Sequence, residues 1–267
     1  MTPGEIGAAP AEFNMGAVKC STHTIPQLLD EVRFLLAHRY AQPRSLLCIN
    51  AHIYNLAVCD VRLRESLNNA RVVTADGMSI VWMSRLWNAT VPERCNMTEA
   101  FRAFLAADDI RPNTAVLIGL TQEEAEKAAR RIGAASTHCH IFHAYSGFLR
   151  EEEYDVLFQS MPQVDFIFVG MSTPRTERVC ELARKRCPES IVWGIGAGTI
   201  RIYAGTMKEA SEFWRRSGLQ WVHRLFNEPF KLWRRYLIGN PLFVYRNLKS
   251  SMFGRRGSMT APPAFRS

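Results

Sequence analysis

Arg71–Arg94 reads RVVTADGMSIVWMSRLWNATVPER, and its first dozen residues decide the fold. Val72 and Val73 end an apolar strand, Thr74-Ala75-Asp76-Gly77 leads out of it, and Met78, Val81, Trp82 and Leu86 follow at helical spacing. A strand that empties through Asp-Gly into a helix holds its carboxylate on backbone rather than on a flexible arm. Glycine allows a tight turn or the close approach of a ligand, and the new helix offers N–H groups without intrahelical partners. Asp76 therefore stands where a carboxylate can meet a substrate. The competing reading is that it caps the helix or closes a turn.

Working outward, the same punctuation recurs. Thr24 caps a helix carrying Leu28, Val32, Leu35 and Leu36, with Pro26 in its first turn. Ser45–Ile49 is a buried strand that exits through Asn50-Ala51-His52 into two short helices. Pro92–Asn96 is a loop, and Asn96 or Thr98 starts the helix with Phe101 and Phe104. Thr114–Ile118 is a strand ending at Gly119, after which Thr121 and Glu124 form a capping box. A strand lies near His140–His143, another at Asp165–Val169 ending at Gly170, and a helix runs from about Pro174 to Arg186. Ile191-Val192-Trp193 is the last clear strand and opens into Gly194-Ile195-Gly196-Ala197-Gly198. Short apolar strands alternating with helices predict an α/β, Rossmann-like architecture, a largely parallel sheet covered by helices on both faces. Ligands in such folds collect outside the carboxyl ends of the strands. Asn50, Asp76, Gly119, Gly170 and Gly196 all follow strands at that edge.

The glycines form neither a dinucleotide-binding GxGxxG nor a phosphate loop. Gly119, Gly170 and Gly196 are candidates for substrate contact through exposed N–H groups, with packing or turn roles as the alternative. His138, His140 and His143 cluster in sequence, but their placement on or beside a strand favours structural or surface roles, and no metal site is expected. Seven scattered cysteines without a CxxC pair indicate neither zinc nor a disulfide framework, and fit a reducing compartment. With 267 residues, 47% hydrophobic and 22% charged, the chain can bury an ordinary core. No signal peptide or membrane span is predicted.

The net charge of +8 is concentrated in the tail: Arg215–Arg256 holds ten lysines and arginines against the single acid Glu228. That balance predicts an anionic partner, nucleic acid or a phospholipid surface. Thr206 with Glu209 predicts a capped helix through Phe213 and Trp214 to Gly218. Leu219, Val222, Phe226, Phe230, Trp233 and Leu237 then mark an apolar stripe, with Arg224, Lys231, Arg234 and Arg235 beside it. Pro229 starts or kinks a helix, and Gly239-Asn240-Pro241 stops one. This pattern of aromatic body and cationic flank suits a headgroup boundary.

NAHIYNLA (50–57), TADGMSIVW (74–82), PER (92–94), VGMSTPRTE (169–177), GIGAG (194–198) and SGLQWVHRLFNEPFKLWRRYLIGNP (217–241) together resemble the WecG/TagA/CpsF glycosyltransferase family, and within it the GumM-like exopolysaccharide glucosyltransferases. The ADG helix and the long tail motif are the specific parts. The resemblance implies an inverting, metal-independent transfer without cofactor, from a UDP-sugar donor to a polyprenyl-diphosphate-linked sugar acceptor. It also implies work at an anionic membrane surface, peripheral on the cytoplasmic face, with no nucleic acid partner and a possible homo-oligomer. By position it makes Asp76 the catalytic carboxylate, Arg94 an active-site cation and Asn50 a pocket residue. Cys48 stands where the family often has threonine and Thr176 where it has glutamine, and TIRIYAG (199–205) replaces the more usual FDFLAG. Arg224, Lys231, Trp233, Arg234 and Arg235 are expected at the membrane or the diphosphate.

The domain reading is a flexible arm over 1–13, an α/β catalytic domain over 14–205, and a helical basic membrane-binding appendage with a flexible tail over 206–267. The expected activity is hexosyl transfer, with glucose as the sugar. Transfer of N-acetylmannosamine or its uronate is the alternative donor reading. A non-enzymatic lipid- or nucleic-acid-binding protein is the alternative of a different class.

Overall fold

The computed structural model describes residues 10–208 and 229–253. It opens with a hairpin, β1 (Glu12–Met15) paired antiparallel with β2 (Val18–Ser21), turned by Gly16 at φ +61. Phe13, at the end of the arm expected over 1–13, is instead part of β1 and buried in the core with Met15. Next come α1 (Ile25–Ala37), β3 (Ser45–Ile49), α2 (Ala51–Cys59), α3 (Val61–Asn68), β4 (Val72–Ala75), α4 (Met78–Ser84) and α5 (Met97–Ala106). Then follow β5 (Asn113–Ile118), α6 (Gln122–Ala135), β6 (Cys139–Tyr145), α7 (Glu151–Ser160), β7 (Phe166–Val169), α8 (Arg175–Arg186), β8 (Ile191–Gly194) and α9 (Gly196–Ala204). The second described stretch holds α10 (Pro229–Trp233), a π-helical turn (Arg234–Ile238) and α11 (Gly239–Phe253).

The strands form one eight-stranded sheet in the order β1-β2-β4-β3-β8-β7-β5-β6, parallel throughout except for the first pair. Side chains alternate across it, as the two-residue period of a strand requires. Ile167, Val169 and Val192 face α2, α3, α7 and α8, whereas Phe166, Phe168, Ile191 and Trp193 face α1, α5, α6 and α9. On the second face Phe101 and Phe104 meet Trp193 edge-on at 5.9 and 5.5 Å. This is the doubly covered parallel sheet expected from the alternation of strands and helices. The capping boxes at Thr24–Gln27 and Thr121–Glu124 are both made.

Several local expectations are corrected. α4 packs inward through Ile80, Val81 and Ser84, while Trp82, at 64% exposure, and Leu86 look outward. Asp76 does not cap α4, since Gly77 holds the cap position without a side-chain bond. α7 is an additional helix, with three glutamates in its first turn complementing the helix dipole and Tyr154 and Phe158 turned inward. α9 begins inside the glycine run, where Gly196 adopts φ +77. Gly239-Asn240-Pro241 does not stop a helix, for α11 starts there and follows directly on the π-helical turn. A proline lacks the N–H for the usual i→i−4 bond, and it is tolerated here in the first turn.

α11 lies against α2. Phe243 is fully buried and meets Tyr54 edge-on at 5.1 Å, and Arg246 donates to the Asn55 carbonyl at 2.7 Å. Asn55 Nδ2 donates to the Gly239 carbonyl at 2.7 Å, and Trp87 Nε1 donates to Asn247 Oδ1 at 3.1 Å. The Thr206–Glu209 box, the helix to Gly218, the stripe from Leu219 to Phe226, and Arg224 fall at or beyond the edge of the described residues. Among the described residues no helix is long and apolar enough to cross a membrane.

Candidate active site

The carboxyl edge of the parallel strands brings the exits of β4, β3, β8, β7 and β5 into one row. Neighbouring strands lie about 4.8 Å apart, so the row spans about 19 Å from the first to the last. Asp76 and Asn50 stand at one end, and Gly196, Gly170 and Gly119 occupy the other.

At the first end the Asp76 N–H donates to the Ile49 carbonyl at 2.8 Å, which continues the β3–β4 pairing one residue beyond the strand. The half-buried carboxylate accepts from Asn96 Nδ2 at 2.7 Å on Oδ1, and Cys48 Sγ lies 3.9 Å from Oδ2. Burial, with Asp76 and Glu177 nearby, pushes the Cys48 thiol well above its ordinary value. Cys48 is therefore a protonated, weak S–H donor to the carboxylate and not a nucleophile. Asn50 caps α2, its Oδ1 accepting from His52 N and Ile53 N at 3.1 Å each.

The tail contributes here as well. Arg235 Nη2 reaches Asn50 Oδ1 at 3.5 Å from the π-helical turn. Burial and that guanidinium push His52 down to about 4, so the ring is neutral near pH 7. Arg94 is largely buried and paired with Glu99 at 3.0 Å on the first turn of α5. Arg234 is exposed, its guanidinium over the Trp233 ring at 5.2 Å. Lys231 lies on α10.

At the other end Gly119 and Gly170 are required by packing, whereas Gly196 has open space around it and is called for by its φ of +77. A Cβ on Gly119 would sit 2.2 Å from the Gly170 carbonyl oxygen, and one on Gly170 would sit 2.8 Å from the Gly196 carbonyl oxygen. Thr176 also turns inward: its hydroxyl donates to the Met171 carbonyl at 2.8 Å and accepts the Met171 N–H at 3.0 Å. It thus ties the loop after β7 to α8 rather than presenting its oxygen to the edge.

Two residues of this region escaped the sequence reading as site residues. Asn96 was legible only as a helix start. Glu177, at 4% exposure, accepts from Thr173 Oγ1 at 2.9 Å on Oε1, while Oε2 is buried without a partner. Burial pushes its carboxyl up to about 7. His138 takes a structural place, buried, bonded to Ser136 at 3.2 Å and edge-on to Phe104 at 5.1 Å, whereas His140 and His143 on β6 are exposed.

The arrangement can hold a base, cations for an anionic leaving group, and an extended ligand along the edge. Residues 13–257 match the sequence profile of the glycosyl transferase WecG/TagA/CpsF family. The chain belongs to that family. Similar curated relatives include the N-acetylglucosaminyldiphosphoundecaprenol N-acetyl-beta-D-mannosaminyltransferases of Staphylococcus aureus strains MW2 and NCTC 8325 / PS 47. Each is 23% identical over 240 residues, covering 90% of this chain and 93% of the relative. These relatives favour the N-acetylmannosaminyl alternative over the glucosyl expectation.

Proposed function

We propose that this chain transfers an N-acetylmannosaminyl residue from its UDP derivative to a sugar hydroxyl on a polyprenyl diphosphate, at an anionic membrane surface. The observation that carries this reading is Arg235, delivered by the tail to within 3.5 Å of Asn50 at the edge where Asp76 stands. A carboxylate and a cation brought by separate segments suit a reaction that creates a proton at one atom and a negative charge at another.

In this reading Asp76 takes the proton of the acceptor hydroxyl as its oxygen attacks the anomeric carbon. The bond from that carbon to the UDP oxygen breaks, its electron pair leaves with the diphosphate, and the configuration inverts. Arg235 and Arg94 face the growing charge, which is larger in the transition state than in the bound donor and therefore speeds the step. The neutral His52 ring adds a donor beside Arg235 without adding acid, and the dipole of α2, whose His52 and Ile53 N–H groups are capped by Asn50, favours negative charge there. The relatives' printed activity supports both the transferred sugar and the lipid-linked acceptor class.

The test pairs purified protein and a short-chain prenyl-diphosphate N-acetylglucosamine with UDP-N-acetylmannosamine, its uronate and UDP-glucose, with and without a chelator. The expected result is turnover with UDP-N-acetylmannosamine, unaffected by chelation. Turnover with UDP-glucose alone replaces the sugar but keeps the class, and lack of turnover with every donor overturns the enzyme reading.

The membrane half of the proposal rests on α10 and α11. Phe230, at 95% exposure, Trp233, Leu237, Tyr245 and Met252 are exposed, and residues 229–253 carry five lysines and arginines and no acid. Apolar side chains entering the interface between cationic headgroup contacts give reversible binding. F230S/W233S should float with anionic vesicles roughly tenfold less well, from the apolar area withdrawn, while turnover on a soluble acceptor changes little. Undiminished flotation of the folded variant removes this surface from the proposal.

A further inference from the structure

We infer that Asn96 is a positioning residue for the reacting carboxylate, a helix cap whose amide holds Asp76 in one orientation. This rests on the reading of Asp76 as the base. The backbone sets up the approach: the Cys95 N–H donates to the Ala75 carbonyl at 3.0 Å, so the segment leading into α5 runs along the end of β4. Asn96 then takes extended φ and ψ (−75, 129) and becomes the N-cap of α5. Its Oδ1 accepts from Thr98 N at 3.1 Å and Glu99 N at 3.2 Å.

Those two donors fix which end of the amide faces which way. Reversing it would set an NH2 group against two N–H groups, so the cap itself assigns the atoms. With the oxygen turned to the helix, Nδ2 must point away from it, and there it meets Asp76 Oδ1 at 2.7 Å. A hydrogen bond to a carboxylate is shorter and stronger than one between neutral groups. It stops rotation of the carboxylate and so sets the direction of Oδ2, whose neighbour is Cys48 Sγ at 3.9 Å.

The mount is rigid. Asn96 is buried, and the turn that follows is fastened on two sides. Trp193 Nε1 donates to Met97 Sδ at 3.2 Å, and the Thr98 and Thr199 hydroxyls are 2.9 Å apart. Serine, threonine and aspartate cap helices about as well as asparagine, but none of them carries an N–H on its side chain. A residue needed only to start α5 has several equivalents, whereas for one needed also to donate to Asp76 aspartate has no donor, and serine and threonine must cap and donate from one oxygen on a shorter side chain.

N96D and N96S separate the two roles, because both keep a capping oxygen. The measurements are melting temperature, kcat, KM for donor and acceptor, and the pH profile of kcat/KM, using the donor that turns over fastest in the panel above. N96D sets a second carboxylate against the first, and two carboxylates at that distance share a proton. The expected result is a fold that melts close to the wild type, kcat lower by ~10- to 100-fold at neutral pH, donor KM little changed, and an acid limb moved to higher pH. N96S should lose kcat by about tenfold and move that limb upward by less than N96D does, because it removes a donor to the carboxylate without adding a second charge. D76N is run alongside. If D76N is inactive while N96D and N96S match the wild type in kcat and pH profile, the Asn96 assignment fails and the base stands. If D76N turns over normally, the base reading fails and this assignment goes with it. A lower melting temperature together with raised KM values and an unmoved pH profile would reduce Asn96 to a cap.

Discussion

D76N is expected to fold like the wild type and to transfer sugar ~10²–10⁴-fold more slowly, the range set by the loss of one general base. The substitution is gentle on the structure. Asparagine keeps the shape of aspartate, can present its oxygen to Asn96 Nδ2, and leaves the N–H bond to the Ile49 carbonyl in place. What it removes is the ability to take a proton. Because the proton moves only as the acceptor attacks, the loss should fall on kcat and leave donor KM close to wild type. Circular dichroism and initial rates on the lipid-linked acceptor measure both sides of the claim. A folded D76N protein with wild-type turnover means that another group receives the proton.

The second large effect concerns stability and pH. The folded protein keeps the Glu177 proton up to about pH 7, whereas the unfolded chain releases it near 4.5. Between those values folding takes up a proton, so the native state loses stability as pH rises through the window and recovers none above it. At roughly 1.36 kcal/mol per pKa unit, the rise from 4.5 to about 7 amounts to about 3 kcal/mol. Glutamine at this position does not titrate and can still accept from Thr173 Oγ1. Its amide nitrogen takes the place of Oε2 and costs ~1–3 kcal/mol for a buried donor without a partner, at every pH. The difference in stability, E177Q minus wild type, should therefore climb by about 3 kcal/mol between pH 4.5 and 7.5. Urea denaturation at those two values reads it, and an equal difference at both would show that Glu177 does not hold its proton in the fold.

The strand exits were legible because a parallel strand buried on both faces must be a short apolar run, and because a turn out of it draws on few residue types. Ser45–Ile49 with Asn50, and Val72–Ala75 with Asp76, show this directly. α4 was misphased because Trp82 and Leu86 are apolar yet exposed, so the hydrophobic pattern alone pointed the helix the wrong way. α7 was missed although its three leading glutamates and the Tyr154–Phe158 pair are helix signals, since its apolar face is only two buried residues wide. Arg235 was legible as a tail cation, but neither its approach to Asn50 nor the contact of Asn96 with Asp76 could be read locally. Each depends on a chain segment arriving from elsewhere: residues 94–96 along the end of β4, and the π-helical turn against the start of α2. Glu177 stood inside a quoted motif, but its burial is a property of how α8 packs on the sheet.

The π-helical turn also sets an azimuth. An α-helix advances about 100° per residue, so Arg235 and Phe243, eight positions apart in the sequence, would be rotated by about 80° on a regular helix. Arg235 lies inside the wider turn, whose residues each advance less than in an α-helix, so the rotation is reduced and both side chains reach α2. Phe243 then plugs into Tyr54 on the middle of α2, while Arg235 reaches Asn50 at its start. The helix is, in effect, a key cut with a deliberate half-step. Its apolar bit seats in the lock and thereby indexes the cation, so the angular position of the charge is dictated by a packing contact more than a full turn away.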